Sequence, residues 1–303
     1  MTEKSKFIDL HIHTKNSDGT FTTQQLLDKL EGMHAKIISF TDHDSVGSYY
    51  DILEGRAKVP EGMDVITGVE LTCKDDGCRK DILGYGIDID IINEYLKPFK
   101  DKDYKLKKQQ FLLNQFKEKC SKLGLYFSED IEVKTGEKAE AYHLLRNDLQ
   151  KYPENIRVIP DIANDETFYW RHYSNQASPL FVDESYDNPT FSEAIELIHR
   201  AGGLAFLAHP FLYSAEDEKV KRLVKRAVEA GIDGVELHHS TNKEGYINKL
   251  RAIASQYNLL YSGGSDFHGT TIPNLKLITG YDNMMVDFND ITWLNQIKMF
   301  KKG

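Results

Sequence analysis

The sequence predicts an α/β protein built on a parallel β/α sheet or barrel, and three observations carry that prediction. Short apolar runs recur along the 303-residue chain, each with a His, Asp or Glu at one end. Most are followed by a stretch of helical periodicity. The first and last runs carry matching His/Asp clusters. Strands alternating with helices, with polar residues at the strand C-termini, mark a parallel architecture whose sites form from strand ends.

Phe7-Ile8-Asp9-Leu10-His11-Ile12-His13-Thr14 reads as the first strand. Side chains at i and i+2 of a strand share a face, so His11 and His13 project together. Ser17-Asp18-Gly19 follows as a turn, and Thr22 to Met33 as a helix. Ile37 to Phe40 ends in Thr41-Asp42-His43-Asp44, an imidazole between two carboxylates, ahead of a helical pattern from Ser45 to Arg56. Val65 to Val69 ends in Glu70, and the strand Asp81-Ile82-Leu83-Gly84-Tyr85-Gly86 begins with an acid. Later, Leu204 to Ala208 ends in His209-Pro210, and Gly234-Val235-Glu236-Leu237 ends in His238-His239. Helical patterns cover Phe191 to Ala201, Glu216 to Ala230 and Lys243 to Tyr257. Ser265-Asp266-Phe267-His268 closes the series with a second pair at i, i+2 spacing. The two end clusters read as halves of one metal site.

Residues 1–96 and 189–303 carry the β/α rhythm; 97–188 do not. That stretch opens with six lysines between Lys97 and Lys108, continues as a helix through Phe111 and Phe116 towards Gly124, and then turns polar and aromatic. It is expected to be a mostly helical insertion over the strand ends, where a lid would sit. The lysines read as a solvated helical face.

Composition narrows the function classes. The net charge of −9, from 38 basic and 47 acidic residues, argues against stable binding to a long nucleic acid, which needs a basic face. No apolar run approaches the ~20 residues of a membrane span, and Met1 to Lys6 holds no signal-peptide core. Cys73, Cys78 and Cys120 lack zinc-type spacing and read as reduced thiols in the cytoplasm. A Cys73–Cys78 disulfide is the minor alternative.

Imidazoles and carboxylates without thiolates suit Mn²⁺, Fe²⁺ or Zn²⁺ in multi-metal sites. Two or three such ions can hold a bridging hydroxide and stabilise the attacking and leaving oxygens of a phosphoester. The chain has no nucleophile elbow, P-loop or Rossmann fingerprint. An amidohydrolase-type site would also need a bridging lysine at a strand end, and none stands at the expected place.

The ordered set His11-Ile12-His13-Thr14, Ser17-Asp18-Gly19, Thr41-Asp42-His43-Asp44, Gly68-Val69-Glu70, Leu83-Gly84-Tyr85-Gly86, Ala208-His209-Pro210 and Gly264-Ser265-Asp266-Phe267-His268 resembles the PHP (polymerase and histidinol phosphatase) superfamily. Within it the chain is most similar to stand-alone bacterial metal-dependent phosphoesterases, including 3′,5′-nucleoside bisphosphate phosphatases and a short-RNA 5′→3′ exonuclease. The resemblance implies a distorted (β/α)₇ TIM-like barrel with a trinuclear metal centre. The implied ligands are His11, His13, Asp18, His43, Glu70, His209, Asp266 and His268. Asp81 stands where many relatives have a histidine, and is expected to serve as a ninth ligand favouring harder ions. His43, His209 and His239 are the candidate catalytic imidazoles. His143 corresponds loosely to a histidine in the relatives' insertion; with Arg146 and Arg171 it is a candidate for binding substrate phosphate, and Lys80 is a further candidate cation.

The expected activity is metal-dependent hydrolysis of a small phosphorylated metabolite or nucleotide. The alternatives are a phosphodiesterase, acting on short RNA or a cyclic phosphodiester, and a non-catalytic metal-stabilised scaffold. One of Asp42 and Asp44 is expected to orient an imidazole, with helix capping by Asp44 nearly equal to it. His34, His172 and His199 read as structural, and of His238 and His239 only one can face the site.

Overall fold

A computed structural model describes residues 7–243 and 245–300. It forms two compact units. The first runs from the N-terminal strand to Asp75, and continues over Arg79–Tyr95 and from Asn188 onward; the second comprises Asp76–Cys78 and Leu96–Asp187.

The first unit contains β1 (Phe7–Ile12), β2 (Ala35–Phe40), β3 (Asp64–Asp75), β4 (Cys78–Tyr85), β5 (Leu204–Leu207), β6 (Gly234–His239) and β7 (Leu260–Gly264), hydrogen-bonded in sequence order. The pairs β1–β2, β2–β3, β5–β6 and β6–β7 are parallel. The sheet nearly closes on itself. Beyond β7 the chain returns to β1, where Asp266 N donates to His11 O at 2.9 Å and His13 N to Phe267 O at 2.9 Å. The result is a distorted seven-stranded barrel of the TIM-like class.

One strand departs from the βα rhythm. Asp76 and Gly77 join β3 to β4 as a two-residue turn, with φ of 52° and 69°. Positive φ at both central residues is the signature of a tight hairpin turn. β4 therefore runs backwards, and it pairs antiparallel with β5. Its N-terminal end lies with the C-terminal ends of its neighbours, which is why an acid at the start of a strand joins acids and histidines at the ends of others.

Helices α1 (Thr23–Gly32), α2 (Gly47–Leu53), α3 (Ile89–Leu96), α8 (Phe191–Arg200), α9 (Pro210–Tyr213), α10 (Asp217–Glu229) and α11 (Tyr246–Ala254) alternate with the strands. Thr22 and Thr190 close capping boxes with Gln25 and Glu193 at the starts of α1 and α8. α2 is shorter than its pattern predicted: it starts after Val46 with no side-chain cap, and Asp44 instead accepts from Thr72 N at 3.0 Å. Inside the barrel, Ile8, Leu10, Ile66, Tyr85 and Phe206 pack with Trp293 from the C-terminal segment. Trp293 stacks on Tyr85 at 5.2 Å and donates its indole N–H to Tyr261 O at 2.7 Å, so the largest core side chain has no orphaned donor.

The second unit holds α4 (Lys102–Lys122), α5 (Glu140–Leu149), α6 (Pro153–Val158) and α7 (Asp165–Phe168). Its own core joins Leu112, Phe116, Tyr142, Leu145, Phe168 and Tyr173. α4 takes in Lys102, Lys105, Lys107 and Lys108 of the lysine-rich segment, and Asp101 caps it by accepting from Asp103 N and Tyr104 N. No disulfide forms among the described residues, and no described helix is long and apolar enough to cross a membrane.

Candidate metal centre

Glu70, the last buried acid of the β3 core, lies at the centre of the cluster. Its Oε2 is 3.3 Å from His11 Nε2, 3.2 Å from His13 Nε2 and 3.1 Å from His43 Nδ1, and its Oε1 is 3.0 Å from His209 Nε2. Asp266 meets the same imidazoles from the β7 side: its Oδ1 is 3.2 Å from His11 Nε2 and 3.1 Å from His13 Nε2. Beside them, His268 stacks on His13 at 4.0 Å, and its Nε2 lies 3.4 Å from Asp18 Oδ1. Four overlapping groups bring their donor atoms within 4.8 Å of one another: His13, Asp18, His43 and His268; His11, His13, Glu70 and Asp266; His11, Glu236 and His239; and His43, Glu70 and Asp81.

The strand ends that present these groups are strained. His209 and Asp266 have φ of 30° and 57°, the left-handed region that non-glycine residues rarely adopt. Gly264 makes the seam possible. A Cβ there would lie 2.2 Å from His11 N.

The donor chemistry fits divalent metal ions. His11 Nε2, both ring nitrogens of His13, Glu70 Oε2 and His209 Nδ1 are buried without a hydrogen-bond partner. Orphaned buried polar atoms are costly, so five in one cluster point to something that satisfies them. Close N···O approaches without hydrogen-bond geometry are what a shared coordination sphere produces. The mixed imidazole and carboxylate set matches Mn²⁺, Fe²⁺ or Zn²⁺.

Around these groups lies a layer that fixes their orientation. Glu236 accepts from His11 Nδ1 at 2.8 Å and from the backbone N–H of His209 at 2.8 Å, so one buried carboxylate orients the His11 imidazole and fixes the His209 main chain. The sequence reading gave Glu236 no role. Its signal was an acid inside an otherwise apolar strand, but simple alternation puts Glu236 beside His238. A register shift between Glu236 and His238 breaks that alternation and turns Glu236 and His239 to the same side. His239 Nε2 reaches Asp266 Oδ2 at 3.3 Å and its Nδ1 pairs with Thr241 Oγ1 at 2.8 Å. His238 faces away and pairs with Asp290 at 2.7 Å. Asp42 orients no imidazole: it accepts from Thr14 N at 2.7 Å and Ser17 Oγ at 2.7 Å, holding the loop after β1 that carries Asp18.

Asp81 pairs with Arg79 Nε at 3.2 Å and accepts from Tyr213 Oη at 3.0 Å. Neither partner figured in the sequence reading. Lys80 is buried, donates to Arg79 O at 3.0 Å and lies over the Tyr213 ring, so it is packed locally and not turned to a substrate. The remaining candidates belong to the second unit. His143 is exposed on α5. Arg146, 9% exposed, is held by Asp165 and Asn147 and serves that unit's packing. Arg171 is exposed, 3.6 Å from Asp161. His172 and His199 pair with Asp161 and Asp233, as structural histidines do.

Burial opposes the charged form of His13, but hydrogen bonds and the charges of Asp266 and Glu70 outweigh it and lift its pKa to about 10. His11 is also raised: burial is overcome by Glu236, Asp266 and Glu70. His43 goes the other way, pulled down to about 4 by burial, with Glu70 opposing. In the ion-free cluster His13 therefore keeps its proton until pH passes its raised value, whereas a metal ligand must be neutral. Metal binding is expected to release protons near pH 7, and apparent Mn²⁺ affinity to rise between pH 6 and 9. Calorimetry in buffers of different ionisation enthalpy checks this; a buffer-independent binding heat would contradict it.

Comparison with known proteins places this geometry. The model of the PHP domain family matches residues 9–240, which spans β1 to the end of β6 and more than half of the chain. The chain belongs to the PHP domain family. It is 27% identical over 266 residues to a 5′-3′ exoribonuclease of Haemophilus influenzae, covering 87% of this chain and 90% of the relative. It is 24% identical over 263 residues to a 3′,5′-nucleoside bisphosphate phosphatase of Chromobacterium violaceum, covering 86% and 87%. Among solved structures, a Bifidobacterium adolescentis protein assigned as a metal-dependent phosphoesterase superposes with a TM-score of 0.61 at 20% identity over 97% of each chain. That likeness supports the barrel. The family and the relatives' names together identify a hydrolase of the phosphoesterase class.

Proposed function

We propose that this PHP protein hydrolyses the phosphoester of a nucleotide or another small phosphorylated metabolite, with two or three divalent ions of the Mn²⁺, Fe²⁺ or Zn²⁺ class, in the cytoplasm. The observation that carries the reading is the convergence of five partnerless buried donor atoms from His11, His13, Glu70 and His209. When bound, the ions would supply an activated water and neutralise charge on the phosphoryl oxygens. His11, His13, Glu70 and Asp266 would form one holding group, and Asp18, His43 and His268 with His13 another.

The chain's own residues do the rest. Glu236 keeps the His11 ring aimed inward, and Thr241 does the same for His239. His43, pulled down to about 4 by burial with Glu70 opposing, is neutral at pH 7, the form in which an imidazole can hold an ion. His239, at the edge of the cluster with Nε2 beside Asp266, is the imidazole we assign to protonating the leaving oxygen; His209, with Nε2 against Glu70, acts on the water side.

The names of the relatives support a nucleotide substrate and keep a second reading alive, since an exoribonuclease acts on a diester. The test is Mn²⁺-supplemented phosphate or nucleotide release from a panel: AMP, 3′,5′-bisphosphoadenosine, histidinol phosphate, a cyclic sugar phosphate and a short 5′-phosphorylated RNA. Turnover of a nucleotide monoester or of the RNA is expected and assigns the branch. Silence across the panel by fully loaded protein would overturn the reading.

A further inference from the structure

The donors in the cluster fall into two classes. His11 Nε2, both ring nitrogens of His13, Glu70 Oε2 and His209 Nδ1 are partnerless, yet His43 Nδ1 and the Asp81 carboxylate have partners. The difference is Arg79. Its Nε donates to Asp81 Oδ1 at 3.2 Å and its Nη2 lies 3.4 Å from His43 Nδ1, so one guanidinium bridges two members of the group His43, Glu70 and Asp81. The other oxygen of Asp81 takes the Tyr213 hydroxyl at 3.0 Å, and Tyr213 Oη also accepts from Asp81 N at 2.8 Å. Asp81 is thus fully engaged by protein donors before any ion arrives.

We propose that the Arg79 guanidinium takes the place of a third divalent ion: the chain holds two ions, and Arg79 supplies the positive charge at the third position and binds a phosphoryl oxygen there. A guanidinium is permanently charged, planar and carries five donors. Nε and Nη2 are spent on Asp81 and His43, and the side chain is 47% exposed, so N–H groups remain for an anion at the rim. An ion at the same point would have to displace those contacts and sit beside a fixed cation, at a repulsive cost no neutral ligand returns. Asp81 suits this role, because a carboxylate forms a charge-assisted pair with a guanidinium, whereas a neutral imidazole offers it only an uncharged acceptor. The ion count is independent of activity; the phosphate contact rests on the phosphoesterase reading.

The test begins with metal content by mass spectrometry after loading with excess Mn²⁺ and desalting. Two ions per chain are expected in the wild-type protein, and a third in the Arg79→Ala/Asp81→His double variant, which removes the cation and restores an imidazole. Three ions in the wild type, or no gain in the double variant, would overturn the substitution. Inorganic phosphate then probes the second half. Its affinity for the Mn²⁺-loaded protein is expected to fall about tenfold or more in Arg79→Met, as for loss of a charge-assisted contact. Arg79→Lys, which keeps the charge without the fork, should recover part of that loss, and a melting curve confirms that both variants fold. Unchanged phosphate affinity in Arg79→Met would overturn the anion role. Two ions with no phosphoester turnover would defeat the proposed function and leave the ion count standing; three ions with turnover would do the reverse.

Discussion

Replacing Glu70 by Gln is expected to lower turnover by about 10³-fold or more and to remove at least one ion per chain. The Glu70 carboxylate meets four imidazoles: His11, His13 and His43 lie within 3.3 Å of Oε2 and His209 within 3.0 Å of Oε1. Gln keeps the volume and one acceptor oxygen but loses the charge. It also sets an NH₂ group against imidazoles that should donate or coordinate. The carboxylate's own pKa is held well below the usual range: burial opposes ionisation, but His43 and His11 outweigh it. The group is therefore ionised throughout the neutral range, and its folding contribution is lost only as pH falls through that depressed value. In the ion-free protein, Gln leaves protonated imidazoles buried without their partner, a change that costs about 3 to 5 kcal/mol. Metal analysis, steady-state kinetics and a melting curve on one preparation read all three effects. Wild-type metal content in the Gln variant would contradict the assignment of Glu70 as the central ligand.

Gly264→Ala is expected to destabilise the fold by about 3 kcal/mol and to abolish activity together with metal binding. The added methyl would lie 2.2 Å from His11 N and 2.4 Å from His11 Cβ, contacts that require the backbones of β1 and β7 to separate. These are the strands that bring His11 and His13 to Asp266, through the Asp266 N to His11 O bond across the seam. Flexible side chains cannot relieve the clash, since both atoms belong to the backbone or to Cβ. A chemical denaturation curve gives the stability term. A variant of wild-type stability would show that the seam tolerates opening, and would undercut the account of how the two halves of the site meet.

Much of the site was legible because strand geometry has a fixed period. His11 with His13 and Asp266 with His268 follow from alternation alone, and the recurrence of His43, Glu70 and His209 at the ends of apolar runs places them at one end of the sheet. The alternation of strands with helices likewise pointed to the parallel barrel. Three features lay beyond that logic. An apolar strand reads alike in both directions, so the reversal of β4 was hidden, and with it the reason an acid at a strand start belongs to the site. Glu236 was masked by the register shift that breaks period-two alternation in β6. Arg79 sits two residues before Asp81, near the start of β4, and only its contacts with His43 and Asp81 give it meaning. In the second unit, the lysines at the start of α4 obscured its amphipathic pattern, and the aromatic residues that build its core follow no strand or long-helix repeat.

The central claim is that divalent ions held by this cluster carry out phosphoester hydrolysis. Its most direct test strips the protein with chelator and then restores Mn²⁺ in steps, with ion content and phosphate release measured on the same samples. Turnover should be absent from the stripped protein and should rise with occupancy until the site is full. Undiminished turnover without ions, or silence at full occupancy across the substrate panel, would contradict it.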